Sequence, residues 1–260
     1  METPRSRTTR DTALARSIPY GGLSAVAGLG RRLSAQVLRR GPTTPERLAG
    51  RPLQCSVLAF DIVGFGDRRR DDDIQLYVRA ALYRVLAKAF DAAGVPWRAC
   101  HHEDRGDGVL VVVPALVSTE PLVSPLADRV RVGLRRHNKV SSDAAQIRLR
   151  MALHAGHVCF DEYGVAGQTV VHAFRLLEAP AFKTAFAATR CELGFVVSDR
   201  LYDDVIRHGS GLIDPDLYDA INVSLKETEA RAWVYFPPGA VRPARNAWPQ
   251  VVGPAAAAGA

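Results

Sequence analysis

The stretch Gln54–Phe60, QCSVLAF, is almost wholly apolar and runs into Asp61-Ile62-Val63-Gly64-Phe65-Gly66, the profile of a buried strand ending in a glycine-containing turn. From Asp71 to Ala93 the spacing changes to that of a helix. Leu76, Val78, Ala81, Leu82, Val85, Leu86 and Phe90 make its apolar face, and Asp71, Asp72 and Asp73 suit the positive end of its dipole. Gly94-Val95-Pro96 stops it, and Trp97–Val113 reads as a hairpin turning at Gly106-Asp107-Gly108. A second helix is expected over Pro125–Asn138, with Arg129, Arg131, Arg135 and Arg136 on a solvated outer face, and Ile147–Val158 alternates as a strand. Gly164 and Gly167 frame a turn into a helix over Gln168–Glu178 that Pro180 breaks. A helix over Phe182–Thr189, a strand over Gly194–Ser198, a helix over Asp199–Arg207 and two closing strands, Ile221–Leu225 and Ala232–Phe236, complete the series.

The order strand, helix, strand, strand, helix, strand predicts an α+β fold: a ferredoxin-like βαββαβ core with a C-terminal α/β extension. The expected form is a mainly antiparallel sheet with helices on one face. Such a fold hosts enzymes, RNA binders and regulatory modules alike, so function has to come from particular residues.

Charge changes the picture in one respect. The 260 residues carry a net +7, but residues 1–51 hold ten of the 34 basic groups and only three of the 27 acidic ones, leaving 24 of each for the rest. The basicity therefore belongs to an arm, read as disordered and joined through Gly41-Pro42-Thr43-Thr44-Pro45 to a folded body over 52–236, with a disordered Pro/Ala/Gly-rich tail over 237–260. Leu23, Val26, Leu29, Leu33 and Val37 fall at helical spacing in that arm, but three glycines favour a loose segment, and membrane contact through it has no further support. The body lacks a basic face and the exposed stacking aromatics of RNA-binding sheets, so no nucleic-acid partner is expected. Cys55, Cys100, Cys159 and Cys191 form no C-x-x-C pair and read as reduced residues of a cytoplasmic protein.

The candidate chemistry lies where the core topology brings two elements together. In a βαββαβ sheet the first strand neighbours the hairpin, so Asp61 approaches Asp107. Two carboxylates from separate elements suit a divalent cation that prefers oxygen ligands. The turn Ile62–Gly66 offers backbone amides to phosphates through Gly64 and Gly66, and Arg175 is a candidate to hold transition-state charge. His154 and His157 fall on opposite faces of their strand, as do His101 and His102, and Asp104 and Arg105 read as a solvated or ion-paired hairpin tip.

FDIVGF at 60–65, RGDG at 105–108, LHAG at 153–156 and YGVAGQTVVHAFRL at 163–176 together resemble the class III nucleotidyl cyclase catalytic domain, over about residues 54–236. The resemblance implies a head-to-tail homodimer whose active sites lie in the interface, a nucleoside triphosphate substrate, and two Mg²⁺ or Mn²⁺ ions per site. Asp61 and Asp107, with Ile62, look like the metal-binding set. Ile62, Val63, Gly64, Phe65 and Gly66 look like the phosphate-cradling turn, Arg175 like the transition-state arginine, and Lys226 like the phosphate-binding lysine. Glu103 falls where the family carries its base selector, and a carboxylate there accepts from guanine; the second selector position falls near Gly164. One departure stands out: Val171 occupies the position of the asparagine that holds the ribose. Losing one such preorganised donor typically costs on the order of 10²–10³ in rate. The sequence thus supports a nucleotidyl cyclase, a catalytically impaired homologue acting as a nucleotide-responsive regulator, and, distantly, a nucleic-acid binder that uses the basic arm.

Overall fold

A computed structural model describes residues 50–237. The readings of residues 1–49 and 238–260 lie outside the described residues. Strand β1 (Leu53–Ile62) is buried without interruption from Cys55 to Ile62. Successive strand side chains point to opposite faces, so eight buried residues in a row require cover on both. Leu58, Phe60 and Ile62 pack into one core with Val78, Leu82, Leu86 and Phe90 of helix α1 (Asp72–Ala92) and Val130 and Leu134 of helix α2 (Leu126–Asn138). Cys55, Val57 and Ala59 pack into another with Val170, Ala173, Leu176 and Leu177 of helix α3 (Gln168–Glu178) and Phe182 and Phe186 of helix α4 (Pro180–Ala187). The expectation of helices on one face is thereby corrected. β1 carries apolar residues at every position, and a solvated face would have shown alternation.

The remaining strands are β2 (His101–Asp104), β3 (Gly108–Pro114), β4 (Leu149–Asp161), β5 (Gly164–Ala166), β6 (Leu193–Ser198), β7 (Tyr218–Leu225) and β8 (Thr228–Tyr235). The sheet runs β2-β3-β1-β4-β6-β8-β7, with β5 paired to β4 alone. Its first four strands reproduce the ferredoxin-like order, and β4 with β6 is its parallel pair.

Local chemistry sets most element ends. The Asp71 carboxylate caps α1 by accepting from the Ile74 amide at 2.9 Å. Pro180 ends α3 but also starts α4, where a missing N–H costs nothing at a first-turn position, so α4 begins two residues before Phe182. Leu76, assigned to the apolar face of α1, is 60% exposed. The buried stripe through Val78, Leu82 and Leu86 advances by four, and Leu76 lies about 200° from Val78 around the axis. Strand β5 was read as a turn because three residues carry no alternation to see. Asp199–Arg207 forms one α turn, to Leu201, and then a wider π turn over Tyr202–Ile206.

Candidate functional site

Asp61 is the last but one residue of β1 and shares its face with Cys55, Val57 and Ala59, toward α3 and α4. Opposite it on β4 stands Arg150. The guanidinium grips the carboxylate with both arms, Nε to Oδ1 at 2.7 Å and Nη2 to Oδ2, and each side chain is only 12% exposed. Burial pushes the Asp61 carboxyl above the usual range, partly countered by the Arg150 hydrogen bonds and charge. Sequence reasoning missed Arg150. Its signal was a basic residue at an inward position of a strand, in step with Ala152 and His154.

On the other side of β1, Asp61 is in register with Gly108 of β3. A Cβ at Gly108 would lie 1.9 Å from the Phe60 carbonyl oxygen, so only glycine permits this approach. The preceding residue, Asp107, is exposed, and its carbonyl accepts from the Ile62 amide at 2.9 Å. The two carboxylates predicted to meet therefore share one end of the β1–β3 pair. Both offer hard oxygens, which fits a divalent cation. The Arg150 charge is the obstacle, since it already holds both Asp61 oxygens. Among the described residues no group of three or more His, Cys, Asp or Glu side chains converges as a metal cage.

In the turn that follows, the Val63 amide donates to the Arg148 carbonyl at 2.9 Å and Phe65 to the Ile62 carbonyl at 3.3 Å. The Gly64 and Gly66 amides have no acceptor among the described residues, and Gly64 adopts φ 66°, a conformation glycine takes without strain. A cleft of about 290 Å³ beside the turn is lined by Val63, Gly64, Asp67, Arg69, Arg70 and Arg148 among others.

A second group of predicted residues gathers on α3 and the β7–β8 turn. Arg175 Nη2 donates to Glu227 Oε1 at 2.9 Å; the arginine side chain is 19% exposed and the glutamate 70%. The Arg175 Nε is buried with no partner among the described residues. Lys226 and Glu227 are the two residues of the hairpin turn, and Lys226 sits at φ 55°, where a non-glycine residue is uncommon. Val171 is exposed on α3, one turn before Arg175. The neighbouring His172 packs on His154 with ring centroids 4.5 Å apart. His154 Nδ1 is 2.8 Å from Ser198 Oγ. Burial lowers both histidines, His154 to about 4, with His172 and Arg200 adding to the effect on His154.

Glu103, predicted as base selector, and Gly164, near which the second selector position falls, are adjacent. A Cβ on Gly164 would stand 2.3 Å from Glu103 Oε1, and that oxygen accepts from the Val165 amide and from His101 Nε2, each at 2.9 Å. Glu103 Oε2 accepts from Arg105 at 2.5 Å. Asp104 turns away from this group to Arg79 and Tyr83, as an ion-paired tip should. The contacts thus join Asp61 to Arg150, Arg175 to Glu227 beside Lys226, and Glu103 to the β5 backbone at Val165 beside Gly164.

No protein-family model matches the chain, and no curated protein does. Solved structures do. An adenylate/guanylate cyclase/hydrolase from Silicibacter pomeroyi superposes with a TM-score of 0.51 at 18% identity, covering 72% of this chain and 98% of that one. The guanylyl cyclase Cya2 gives 0.51 at 16%, over 72% and 92%. A bacterial light-regulated adenylyl cyclase gives 0.52 at 12%, over 81% and 64%. The fold of the described residues is that of class III nucleotidyl cyclase catalytic domains. No helix among them is long and apolar enough to cross a membrane.

Proposed function

We propose that this chain binds a nucleoside triphosphate together with two Mg²⁺ or Mn²⁺ ions, in sites completed between two copies, and converts it slowly to a 3′,5′-cyclic nucleotide and pyrophosphate. The observation that carries the reading is the meeting of Asp61 and Asp107 at one end of β1–β3, beside the open amides of Gly64 and Gly66. Carboxylates next to free backbone donors suit a metal-bound polyphosphate. Bound there, the cations would lower the pKa of the ribose 3′-hydroxyl and neutralise the departing pyrophosphate.

The chain's own residues have separate tasks. Asp61 and Asp107 would hold the cations, and Arg150, which grips Asp61 here, would supply a positive charge facing the same space. Gly64 and Gly66 donate to phosphate oxygens. Arg175 and Lys226 supply positive charge to the transferring phosphoryl group, and the left-handed backbone at Lys226 is strain of the kind that gathers at functional turns. Arg175 is joined to the β7–β8 turn through Glu227. In a head-to-tail dimer they serve the carboxylates of the other copy, so each site draws on both.

A second reading has its own support. Val171 cannot hydrogen-bond to a ribose, so a nucleotide-binding regulator with little or no turnover is the alternative. The test is to incubate the purified dimer with Mn²⁺ and each of ATP, GTP, CTP and UTP and to assay for a cyclic product. Product that disappears in Asp107→Ala supports the enzyme. Metal-dependent binding without product favours the regulator, and Val171→Asn should then raise turnover by roughly 10²-fold or more. If no triphosphate binds, both readings fail.

A further inference from the structure

The Glu103 carboxylate is largely committed before any base arrives. A carboxylate offers about four lone-pair sites. Oε1 already accepts from His101 and from the Val165 amide, and Oε2 accepts from Arg105. One site remains, on Oε2. Glu103 by itself therefore cannot receive the two adjacent donors, N1–H and N2–H, that guanine presents. Gly164 brings no side chain, and any Cβ there would strike Glu103. Unspent hydrogen-bonding capacity stands beside it on Arg105, which is bound to Glu103 and lies over the Phe174 ring of α3 at 5.6 Å. Held from two directions, a planar guanidinium keeps further N–H donors in a fixed fork. Its side chain is 40% exposed, against 19% for Glu103, so the fork remains open to solvent.

We propose that Arg105 is a base-specificity residue: its fork and the last free lone pair of Glu103 make an edge that accepts guanine and rejects adenine and uracil. That edge runs donor, donor, acceptor. Guanine runs N7 acceptor, O6 acceptor, N1–H donor along consecutive positions, and arginine to O6 and N7 is a recurrent pairing. Adenine has a donor amine where guanine has O6, so it meets the fork with one acceptor at a time. Uracil offers O4 and N3–H but nothing in place of N7. Guanine makes three hydrogen bonds where adenine and uracil make two; cytosine, whose O2, N3 and N4–H also run acceptor, acceptor, donor, is not separated from guanine by this pattern, so the edge discriminates against ATP and UTP. One extra hydrogen bond to a charged group corresponds to roughly tenfold in affinity. The inference rests on the nucleotide-binding reading above and names an unassigned residue that selects the base.

The test is calorimetric binding of GTP, ATP, ITP and 7-deaza-GTP to the full chain with Mn²⁺, for wild type and Arg105→Ala, with thermal denaturation to confirm that the exposed substitution leaves the fold intact. The wild type should bind GTP roughly tenfold more tightly than ATP. ITP, which lacks only the 2-amino group, should match GTP, and 7-deaza-GTP should bind several-fold more weakly. In Arg105→Ala all four should converge. A GTP preference that survives in Arg105→Ala, or a 2-amino group that matters while N7 does not, overturns the proposal and leaves nucleotide binding standing. Tighter binding of every triphosphate by Arg105→Ala also overturns it, because the arginine then merely plugs the site. Failure of all four to bind either form overturns the nucleotide-binding reading itself.

Discussion

Asp61 and Asp107 look equivalent in sequence, each an aspartate at the end of an aliphatic strand, but they stand in opposite electrostatic positions. Asp61 is buried against Arg150, whereas Asp107 is exposed on a turn. Removing one partner of a buried pair leaves an uncompensated charge, so Asp61→Ala should lower stability by about 3–5 kcal/mol in chemical denaturation. Asp107→Ala should stay within about 0.5 kcal/mol of wild type, as surface substitutions usually do. Loss of function in Asp107→Ala is therefore the cleaner report on the site. If the two variants unfold at the same denaturant concentration, the Asp61–Arg150 pair lacks the weight given to it. The same contrast marks what the sequence could convey. Asp61, Asp107 and Glu103 were legible as carboxylates at meaningful places. Their partners, Arg150 on β4 and Val165 on β5, come from distant segments, and only the register of the sheet brings them together.

At the scale of elements, the strands and helices were legible wherever periodicity was long, as in α1, α3 and β4. The sequence misled where an element was short or where both faces of a strand were covered. Three residues of β5 cannot alternate, and the wholly buried β1 carries no sign of which helices cover it. Helix α3 exposes Val171, holds Arg175 half-buried one turn on, and packs on the sheet partly through His172 on His154. His154 titrates near 4 when folded and about 6.5 when unfolded. Between those values the unfolded chain binds the proton more readily, so its contribution to stability is complete above pH 6.5 and is lost as pH falls toward 4. The loss is up to roughly 3 kcal/mol, with the depressed His172 adding in the same direction. Denaturation at a series of pH values should show this decline in wild type and a flatter profile in His154→Gln. An unchanged profile would falsify the assignment of the pH dependence to this pair.

At the scale of the molecule, the proposed site takes Asp61, Asp107 and the Ile62–Gly66 turn from one copy and Arg175 and Lys226 from the other. A site shared between copies makes a specific demand on mixtures of variants. Asp107→Ala and Arg175→Ala should each be inactive alone. Mixed in equal amounts and allowed to exchange, half of the dimers pair one variant with the other and regain one intact site each, so about a quarter of wild-type sites should return. A mixture that stays inactive although mixed dimers form would mean that both residues serve one copy's own site. Beneath this lies the claim on which the rest depends, that the chain takes a nucleoside triphosphate through divalent metal at Asp61 and Asp107. Calorimetric titration of GTP into the purified chain, with Mn²⁺ or with chelator, tests it most directly. The account predicts binding of one nucleotide per copy that needs Mn²⁺ and disappears in Asp107→Ala; binding indifferent to chelation and to that substitution, or no binding at all, would contradict it.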